Sequence, residues 1–424
     1  MHAMPTPPPP SLGLYLTPRH EHLWGEADTF AFTYAAPRVK AMEESPGRVE
    51  KRLARIVGER GWFGVMIPPE YGGMGAGHVA RTILVHRLAR ISASAAAILQ
   101  ATLIPVGALL GFATAEQKRR WLPSVADGTV LWSIAVTEPW AGGHLGGIET
   151  TAEPDGEGGW LITGTKACVG NLHLAGRHVV IARTAPPGEP LSATEALTAF
   201  VVDGGDAGVT LRPHRPRLGL HGFSLGTLVL DQVRVPAEHV LGDVGKGLHV
   251  AQSSSILTGR LNLGALSLGL HEAIAETTVH FLKDRPRYNG ALTDLPVVRD
   301  RLGAIQARLH AARSLLYHAA ANLDSPTSCD ADLITAKYLG HQLAADSCRD
   351  AAELHGSHAH DTAHIFQRLW RDTQMIYSPA GTGETQRILL ADHLLGAPIQ
   401  WSEHLAAEHA WHQDPDPDSI PAHA

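Results

Sequence analysis

The stretch LWSIAVTEPWAGGHLGGIETTAEPDGEGGWLITGTKACVGN, residues 131–171, marks the point where the hydrophobic pattern of the chain changes. Short runs rich in β-branched residues, such as WLITGT, alternate here with turns rich in Gly, Pro and Asp. This pattern is typical of antiparallel strands joined by tight connections. Further runs of the same kind follow, among them RHVVIART, ALTAFVVD and TLVLDQVRVP. We therefore predict a central β-sandwich or barrel domain over residues 131–245.

Helical patterns flank this region on both sides. Residues 18–130 include VARTILVHRLARISASAAAILQATLIPVGALLG, which is apolar on nearly every face, as in a buried helix pair. Residues 246–400 carry apolar residues at helical spacing over segments long enough for a helix bundle. The sequence thus predicts an α+β chain in the order N-terminal helical domain, β domain, C-terminal helix bundle. We expect a disordered proline-rich lead over residues 1–17 and a frayed tail over residues 401–424.

The composition of the 424 residues is that of a globular protein, with 44% hydrophobic and 18% charged residues. A formal net charge of -7 argues against a nucleic-acid partner. Three cysteines without metal-type spacing favour a reducing compartment, and we expect a cytoplasmic protein. No long apolar run lacks charge and turn signals, so no membrane span is expected. The histidines of ELHGSHAHDTAH, residues 353–364, have no second ligand cluster, and no metal is predicted.

Four segments, taken in their order, resemble the acyl-CoA dehydrogenase family. They are GWFGVMIPPEYGGMGAG (61–77), the stretch 131–171 quoted above, LVLDQVRVPAEHVLGDVGKGLHVA (228–251) and RDTQMIYSPAGTGETQR (371–387). The resemblance implies the acyl-CoA dehydrogenase-like fold, FAD held between the β domain and the helix bundle, and a homo-oligomer, either a dimer or a tetramer. It also implies an acyl-CoA or acyl carrier protein substrate, with an electron-transfer partner or O2 as the electron acceptor.

The residues that match flavin contacts of the family fall into two sets. The first lies in the β domain, where a strand end and a glycine-rich turn offer backbone groups to the ring and to the pyrophosphate. Its members are Val136, Thr137, Gly142, Gly143, Cys168 and Gly170. The second lies in the helix bundle, where the resemblance implies dinucleotide contacts, one of them with the FAD of a neighbouring subunit. Its members are Arg285, Tyr288, Glu353, Gly356, Thr382 and Glu384.

The position of the catalytic glutamate is the main departure from the family pattern. The family carboxylate that removes the α-proton of the substrate directly precedes a Gly-Thr pair, and here that position is Ala380. Some members supply the glutamate from a bundle helix just before an arginine, and the matching pair here is Gly259 and Arg260. Neither position holds a base. The backbone N–H of Ala380 is still expected to polarise the thioester carbonyl.

Three side chains are candidates for a replacement base, namely His221, His144 and Tyr377. Each is also compatible with a purely structural role. Near the flavin, Cys168 and Gly170 stand where the family has a tryptophan and a threonine. We expect Cys168 to be a small core residue, and we expect the loss of the threonine to open space beside the flavin ring.

Three functions are compatible with these residues. The first is FAD-dependent oxidation of an acyl thioester with an unconventional or missing general base. A missing base costs about 10²–10⁴-fold in rate, so ordinary dehydrogenation would be severely impaired. The second is a flavin-dependent monooxygenase of the same superfamily, which needs no glutamate and could use space beside the ring for an oxygen adduct. The third is a catalytically silent homologue that binds an acyl group or a partner.

Overall fold

The computed structural model describes residues 6–184, 196–283, 285–325 and 329–397. Within these ranges a helical domain, a β domain and a second helical domain follow one another, which confirms the α+β architecture. The predicted tail, residues 401–424, lies outside the described residues.

The N-terminal domain is built around two buried helices, α4 and α5. Its helices are α1 Pro18–Phe30, α2 Ala36–Glu44, α3 Lys51–Glu59, α4 Gly77–Ile91, α5 Ala93–Phe112 and α6 Ala115–Ala126. The predicted buried helix pair is confirmed, although α4 also buries three arginines. A carboxylate from the C-terminal domain, Asp324, accepts hydrogen bonds from the backbone N–H groups of His78 (2.7 Å) and Val79 (2.8 Å). This carboxylate therefore satisfies the N-terminus of α4.

The β domain is one eight-stranded sheet that folds over a core of its own. Its strands are β1 Leu131–Ala135, β2 Thr151–Pro154, β3 Trp160–Gly170, β4 Ala175–Arg183, β5 Leu197–Asp203, β6 Val209–Leu211, β7 Leu225–Val235 and β8 Val240–Leu241. The strand order is β6-β7-β3-β2-β4-β5-β8, and β1 pairs in parallel with β4. The core cluster between the sheet faces includes Phe200, Leu228 and Val235. Strand β1 ends at Ala135, directly before the predicted flavin contacts.

The C-terminal domain is a bundle in which α8 packs against α4, α9 and α10. Its helices are α7 Gly247–Ser253, α8 Leu261–Lys283, α9 Pro296–Leu323, α10 Asp330–His355, α11 Ile365–Gln374 and α12 Gly383–Leu394, and a short hairpin of β9 Pro286–Arg287 and β10 Gly290–Ala291 joins α8 to α9. Between α7 and α8 the backbone is π-helical over Ser254–Arg260. Turns of this kind are rare and occur frequently at functional sites.

Helix α5 is long and apolar enough, by length and composition alone, to cross a membrane. Its most apolar window has a mean hydropathy of 1.9, and 72% of that window is buried within the fold. The helix packs against α4, β1, α8 and the π-helical turn. This burial is that of a core helix.

The predicted disorder of the N-terminal lead is wrong from residue 6 onward. Pro10–Leu12 form a 3₁₀ turn, and the side chain of Leu12 is buried. The backbone N–H of Thr6 donates to Asp28 Oδ2 at 3.0 Å, and its carbonyl accepts from Trp24 Nε1 at 2.8 Å. Polar contacts with α1 therefore fix a proline-rich segment that has little conformational entropy to lose.

A buried ionic cluster joins the two helical domains. Glu272 of α8 accepts hydrogen bonds from Arg87 of α4 and Arg313 of α9, each at 2.7 Å, and lies 3.1 Å from His86 Nε2. Arg87 also donates to both carboxylate oxygens of Asp28 in α1, at 2.7 and 3.0 Å. Burial alone would raise the pKa of Glu272, but its three basic neighbours hold the pKa well below the usual value. The carboxylate is therefore charged at neutral pH.

Replacing Glu272 with Gln is expected to destabilise the protein by about 3–5 kcal/mol, because two buried guanidinium groups lose a shared carboxylate. The free energy of unfolding in urea measures the change. Glu59→Gln is the matched control, since its partner Arg55 lies on the surface, and we expect it to cost less than about 1 kcal/mol. Equal costs for the two variants would contradict the structural role of the cluster.

Candidate active site

A buried ion pair that the sequence did not predict holds the end of strand β1. Lys166 of β3 lies 2.7 Å from Glu138 and donates to the carbonyl of Val136 at 3.1 Å. Glu138 also accepts two backbone N–H groups from the loop before β2. Burial lowers the pKa of Lys166 to about 8 and Glu138 opposes this shift, so the lysine is protonated at neutral pH. The pair therefore fixes the backbone path beyond the strand end.

The surface beyond this strand end fits the polar edge of a flavin. The hydroxyl of Thr137 forms no hydrogen bond within the described part of the chain, so it is available to a ligand. A Cβ added at Gly142 or Gly143 would meet no atom within 4 Å. Packing within the chain therefore does not require glycine at either position, and the open surface lets a pyrophosphate approach the backbone.

Gly170 does not open space beside the expected position of the ring. A Cβ added to Gly170 would lie 3.0 Å from Phe223 Cζ and 3.3 Å from Ala101 Cβ. Phe223 thus fills the volume of the missing threonine side chain, and the expectation of extra space is wrong at this position. The expectation of a small core residue is also wrong for Cys168, whose side chain is exposed.

A buried lysine of α10 holds the turn that contains Ala380. Lys337 Nζ donates to the carbonyl groups of Tyr377 and Gly381, at 2.9 and 2.8 Å. Between these two anchors Ala380 has a φ of 55°, in the left-handed region that few non-glycine residues adopt. Its N–H donates to no acceptor among the residues that the structure describes. This donor is therefore available to a substrate carbonyl.

The two positions that hold the glutamate in the family lie side by side. A Cβ added to Gly259 would lie 3.7 Å from Ala380 Cβ and 3.6 Å from Ile104 Cδ1. Arg260 is buried; its Nε lies 3.5 Å from the carbonyl oxygen of Ala380, and its Nη1 has no hydrogen-bond partner in the described ranges. Side chains at 259 and 380 therefore point toward one space that is lined by carbon atoms, with a cationic donor beside it.

The candidate base His221 belongs to a charged cluster between α2 and α11. Its Nε2 lies 3.1 Å from Arg371 Nη1, and its Nδ1 lies 3.3 Å from a carboxylate oxygen of Glu43. The same carboxylate also binds Arg371. The candidate His144 is exposed in the loop after the glycine turn. Neither histidine forms a hydrogen bond or an ion pair with Ala380 in the described part of the structure.

The candidate base Tyr377 donates its hydroxyl to Glu384 Oε2 at 2.8 Å. This hydrogen bond raises the pKa of Tyr377 and is the main reason that the pKa of Glu384 falls to about 2. A phenol with a raised pKa is a weaker proton acceptor candidate at neutral pH. Glu384 and Thr382, which caps α12, lie at the start of that helix, where its N–H groups face outward.

The other predicted dinucleotide contacts lie on a different face of the bundle, around the ring of Phe281. The guanidinium of Arg285 lies 3.9 Å from the centroid of this ring, and a histidine that stacks on the ring directly precedes Gly356, whose φ is 56°. Glu353 forms a surface ion pair, and Tyr288 is 87% exposed. This face is accessible to a neighbouring subunit. No group of three His, Cys, Asp or Glu side chains that could hold a metal occurs within the described ranges.

The fold is typical of one class of flavin-dependent oxidoreductases. In that class a helical domain, a β domain and a helix bundle follow one another, and the end of a strand is open between them. Models of the three domains of the acyl-CoA dehydrogenase family match the chain, the N-terminal domain at residues 17–129, the middle domain at 133–233 and the C-terminal domain at 245–395. The chain belongs to the acyl-CoA dehydrogenase family. Membership in this family of acyl thioester oxidoreductases assigns FAD as its cofactor.

Individual relatives match over nearly their whole length. An acyl-CoA dehydrogenase of Bacillus subtilis (strain 168) is 30% identical over 368 residues, which are 87% of this chain and 95% of the relative. Subunit CarC of the caffeyl-CoA reductase-Etf complex of Acetobacterium woodii is 26% identical and is matched over 90% of this chain and 100% of its own. The structure of butyryl-CoA dehydrogenase from Megasphaera elsdenii aligns with a TM-score of 0.86 at 27% identity, covering 90% of this chain and 99% of that one.

Replacing Lys337 with Met is expected to destabilise the protein more strongly as pH rises. Burial, with a smaller contribution from the Arg260 cation, lowers the pKa of Lys337 from 10.5 to about 7 in the folded chain. At pH values between these two pKa values, Lys337 is protonated in the unfolded chain and deprotonated in the folded chain. The stability of the wild type therefore rises with pH by up to about 1.4 kcal/mol per unit, and the variant lacks this rise.

Urea unfolding of both proteins across this pH range measures the difference. Lys40→Met is the control, since it removes an exposed ammonium group whose ion-pair partner, Glu44, is also exposed. If the stability of the wild type and that of the Lys337 variant changed with pH in the same way, the lowered pKa of Lys337 would be contradicted.

Proposed function

We propose that the chain is an FAD-dependent oxidoreductase of an acyl thioester, carried by CoA or by a carrier protein, that works without the usual glutamate base. The substrate carbonyl binds the free N–H of Ala380, and its α-carbon lies in the space between Ala380 and Gly259.

The observation that carries this proposal is the approach of Gly259 to Ala380. A side chain at either position would enter the same space. Ile104 lies on the other side of this space, with its Cδ1 3.6 Å from a Cβ added to Gly259. Neither Gly259 nor Ala380 has a side chain that can accept a proton, so neither family position compensates for the other. Loss of a general base costs about 10²–10⁴-fold in rate. A substrate with an unusually acidic α-proton, or one held in place by a tethered carrier, tolerates such a loss best.

The chemistry divides between cofactor and chain. When bound, FAD supplies the two-electron redox chemistry. The chain supplies orientation: Lys337 holds the turn, the N–H of Ala380 stabilises negative charge that develops on the thioester oxygen, and the buried Arg260 adds a positive field beside it.

The packing of Phe223 against Gly170 favours oxidation over the monooxygenase alternative. Space beside the flavin ring was one of the two sequence features that favoured an oxygen adduct, the other being the absent carboxylate, and Phe223 occupies that space. The free N–H of Ala380 is equally compatible with a catalytically silent homologue that binds an acyl group, so turnover distinguishes the enzyme from that alternative.

An electron-transfer flavoprotein is the proposed electron acceptor, since the relative CarC is a subunit of a reductase-Etf complex. A homo-oligomer is proposed as well, because Arg285 and Tyr288 lie on an accessible face away from the strand end, where a neighbouring chain could bring its cofactor. A cytoplasmic location stays a prediction from the cysteine pattern.

Gly259→Glu and Ala380→Glu, tested singly, are each expected to raise the rate of α,β-dehydrogenation by about 10²–10⁴-fold, since each supplies a general base at a family position. A Cβ at Gly259 would make only ordinary van der Waals contacts, so the first atom of the new side chain causes no clash. Anaerobic reduction of bound FAD by butyryl-CoA, followed as loss of its visible absorbance, measures the rate.

Gly303→Glu is the matched control, because this glycine lies on the exposed face of α9 with no atom within 4 Å of an added Cβ. Its rate should equal that of the wild type. A wild type that already reduces its flavin as fast as the glutamate variants would disprove the missing base. A purified chain that neither contains nor takes up FAD would disprove the flavoenzyme assignment itself.

A further inference from the structure

Residues 212–217, RPHRPR, form an exposed basic loop between strands β6 and β7. The side chains of Arg212, Arg215 and Arg217 are all exposed. No acidic residue occurs in the sequence between Asp206 and Asp231, whereas the whole chain has a net charge of -7. The basic loop is therefore a local concentration of positive charge on an acidic protein.

The backbone of the basic loop is fixed at both ends. His173 Nε2 donates to the carbonyl of Arg212 at 2.8 Å, since a carbonyl oxygen can only accept. Beyond the other end, the N–H of Leu220 donates to the buried Asp372 Oδ1 at 2.7 Å. These anchors hold the loop against the turn after β3 and against α11, while its arginine side chains are exposed.

The positive charge of the basic loop is not neutralised within the chain. None of its three arginines forms an ion pair with any residue in the described ranges. The carboxylate of Glu43, which lies against the same segment, is bound by Arg371 and His221. Exposed arginines without intramolecular carboxylate partners are free to attract an acidic partner.

The basic loop leads directly into the proposed active site. Gly222 donates its N–H to Ser94 Oγ of α5 at 3.2 Å. The next residue, Phe223, packs beneath Gly170 and beside Ala101 of α5. A partner bound to the loop would thus lie at the edge of the region that holds the flavin ring and the acyl group.

The spacing of the charges favours a protein partner over a single phosphate group. Two prolines in the loop favour extended conformations, for which the backbone span from Arg212 to Arg217 is at most about 17 Å. A bound phosphate requires donors that converge on one point, whereas a row of separated cations matches carboxylates distributed along a helix surface. Leu218, adjacent to the row and 57% exposed, adds an apolar contact of the kind found in protein interfaces.

We propose that the basic loop is the docking surface for an acidic carrier protein, which presents the acyl group to the active site on its phosphopantetheine arm. This inference rests on the proposed function, because it selects the carrier protein over CoA as the source of the acyl thioester. Electrostatic docking at the rim also supplies the tethering that compensates for the absent base.

The test compares three butyryl thioesters, carried by an acidic fatty-acid-synthase carrier protein, by CoA and by pantetheine. Binding of the fluorescently labelled carrier protein to the FAD-loaded enzyme is followed by anisotropy, and binding of the two small thioesters by displacement of the labelled carrier and by perturbation of the flavin spectrum. The variant is Arg212→Glu/Arg215→Glu/Arg217→Glu. The matched control, Lys118→Glu/Arg119→Glu/Arg120→Glu on α6, changes the net charge by the same amount.

The loop variant is expected to weaken binding of the carrier protein by about tenfold or more, while binding of butyryl-pantetheine and the flavin content stay unchanged. The affinity of the wild type for the carrier protein should fall with rising salt, and the control variant should bind the carrier like the wild type.

Equal weakening of binding for CoA and carrier protein would overturn the proposal in favour of a CoA phosphate site. Absent carrier binding, or equal effects of both triple variants, would also overturn it. Loop-dependent carrier binding by a chain without thioester oxidation would leave the docking surface standing and refute only the proposed function.

Discussion

The carboxylate of Glu272 joins two consecutive helices of the C-terminal bundle to a helix of the N-terminal domain that is far away in the sequence. It binds Arg87 in α4 and Arg313 in α9 from its own position in α8. Helix α4 packs beside α5, which carries Ile104, and α8 continues directly from the π-helical turn, which carries Gly259, so the cluster lies between the two elements that meet at this contact. Buried ion pairs contribute less to net stability than their Coulomb energy suggests, but they tolerate little displacement. Apolar packing alone would permit more sliding between the helices.

The active-site turn separates two tasks that one family segment usually combines. The first is to hold a carbonyl, for which the backbone of Ala380 and the two hydrogen bonds of Lys337 are sufficient. The second is to remove a proton, for which the space beside Gly259 offers only carbon atoms at the two family positions. The turn keeps a left-handed alanine where a larger side chain could stand. In the proposed function, substrate binding and proton transfer are therefore separate tasks of different groups.

The sequence predicted the order of the domains because the period of its apolar residues changes clearly near residues 131 and 246. It predicted the paired positions Ala380 and Gly259 only through the family resemblance, because nothing in local spacing shows that they meet. It missed Lys337, although this lysine occupies the apolar stripe of α10 together with Leu333 and Ile334, and a charged residue on such a stripe is a signal in itself. The expectation for Gly170 was wrong because a side chain missing from one strand can be replaced by a residue from a distant loop, here Phe223. The expectation for Cys168 was wrong because this residue lies at an irregularity in the pairing of β3, with a φ of 54°, where the alternation of side chains is interrupted.

The proline-rich composition of the N-terminal lead wrongly predicted disorder, because contacts with a distant part of the chain fix this segment. Prolines disfavour regular structure, but they also lower the entropy lost when a segment docks, and Thr6 provides both a donor and an acceptor for the polar groups of α1. Low helical or strand propensity therefore says nothing about whether a segment binds to a folded surface.

The apolar composition of α5 has a consequence for folding during synthesis on the ribosome. This helix has no charged residue in its 20 positions, and the elements that cover it include the π-helical turn and α8, which leave the ribosome only after the entire sheet. In the nascent chain the apolar helix α5 therefore lacks its packing partners for the time needed to synthesise the β domain. During this interval chaperones or a lipid surface compete for α5 with the bundle that will eventually enclose it.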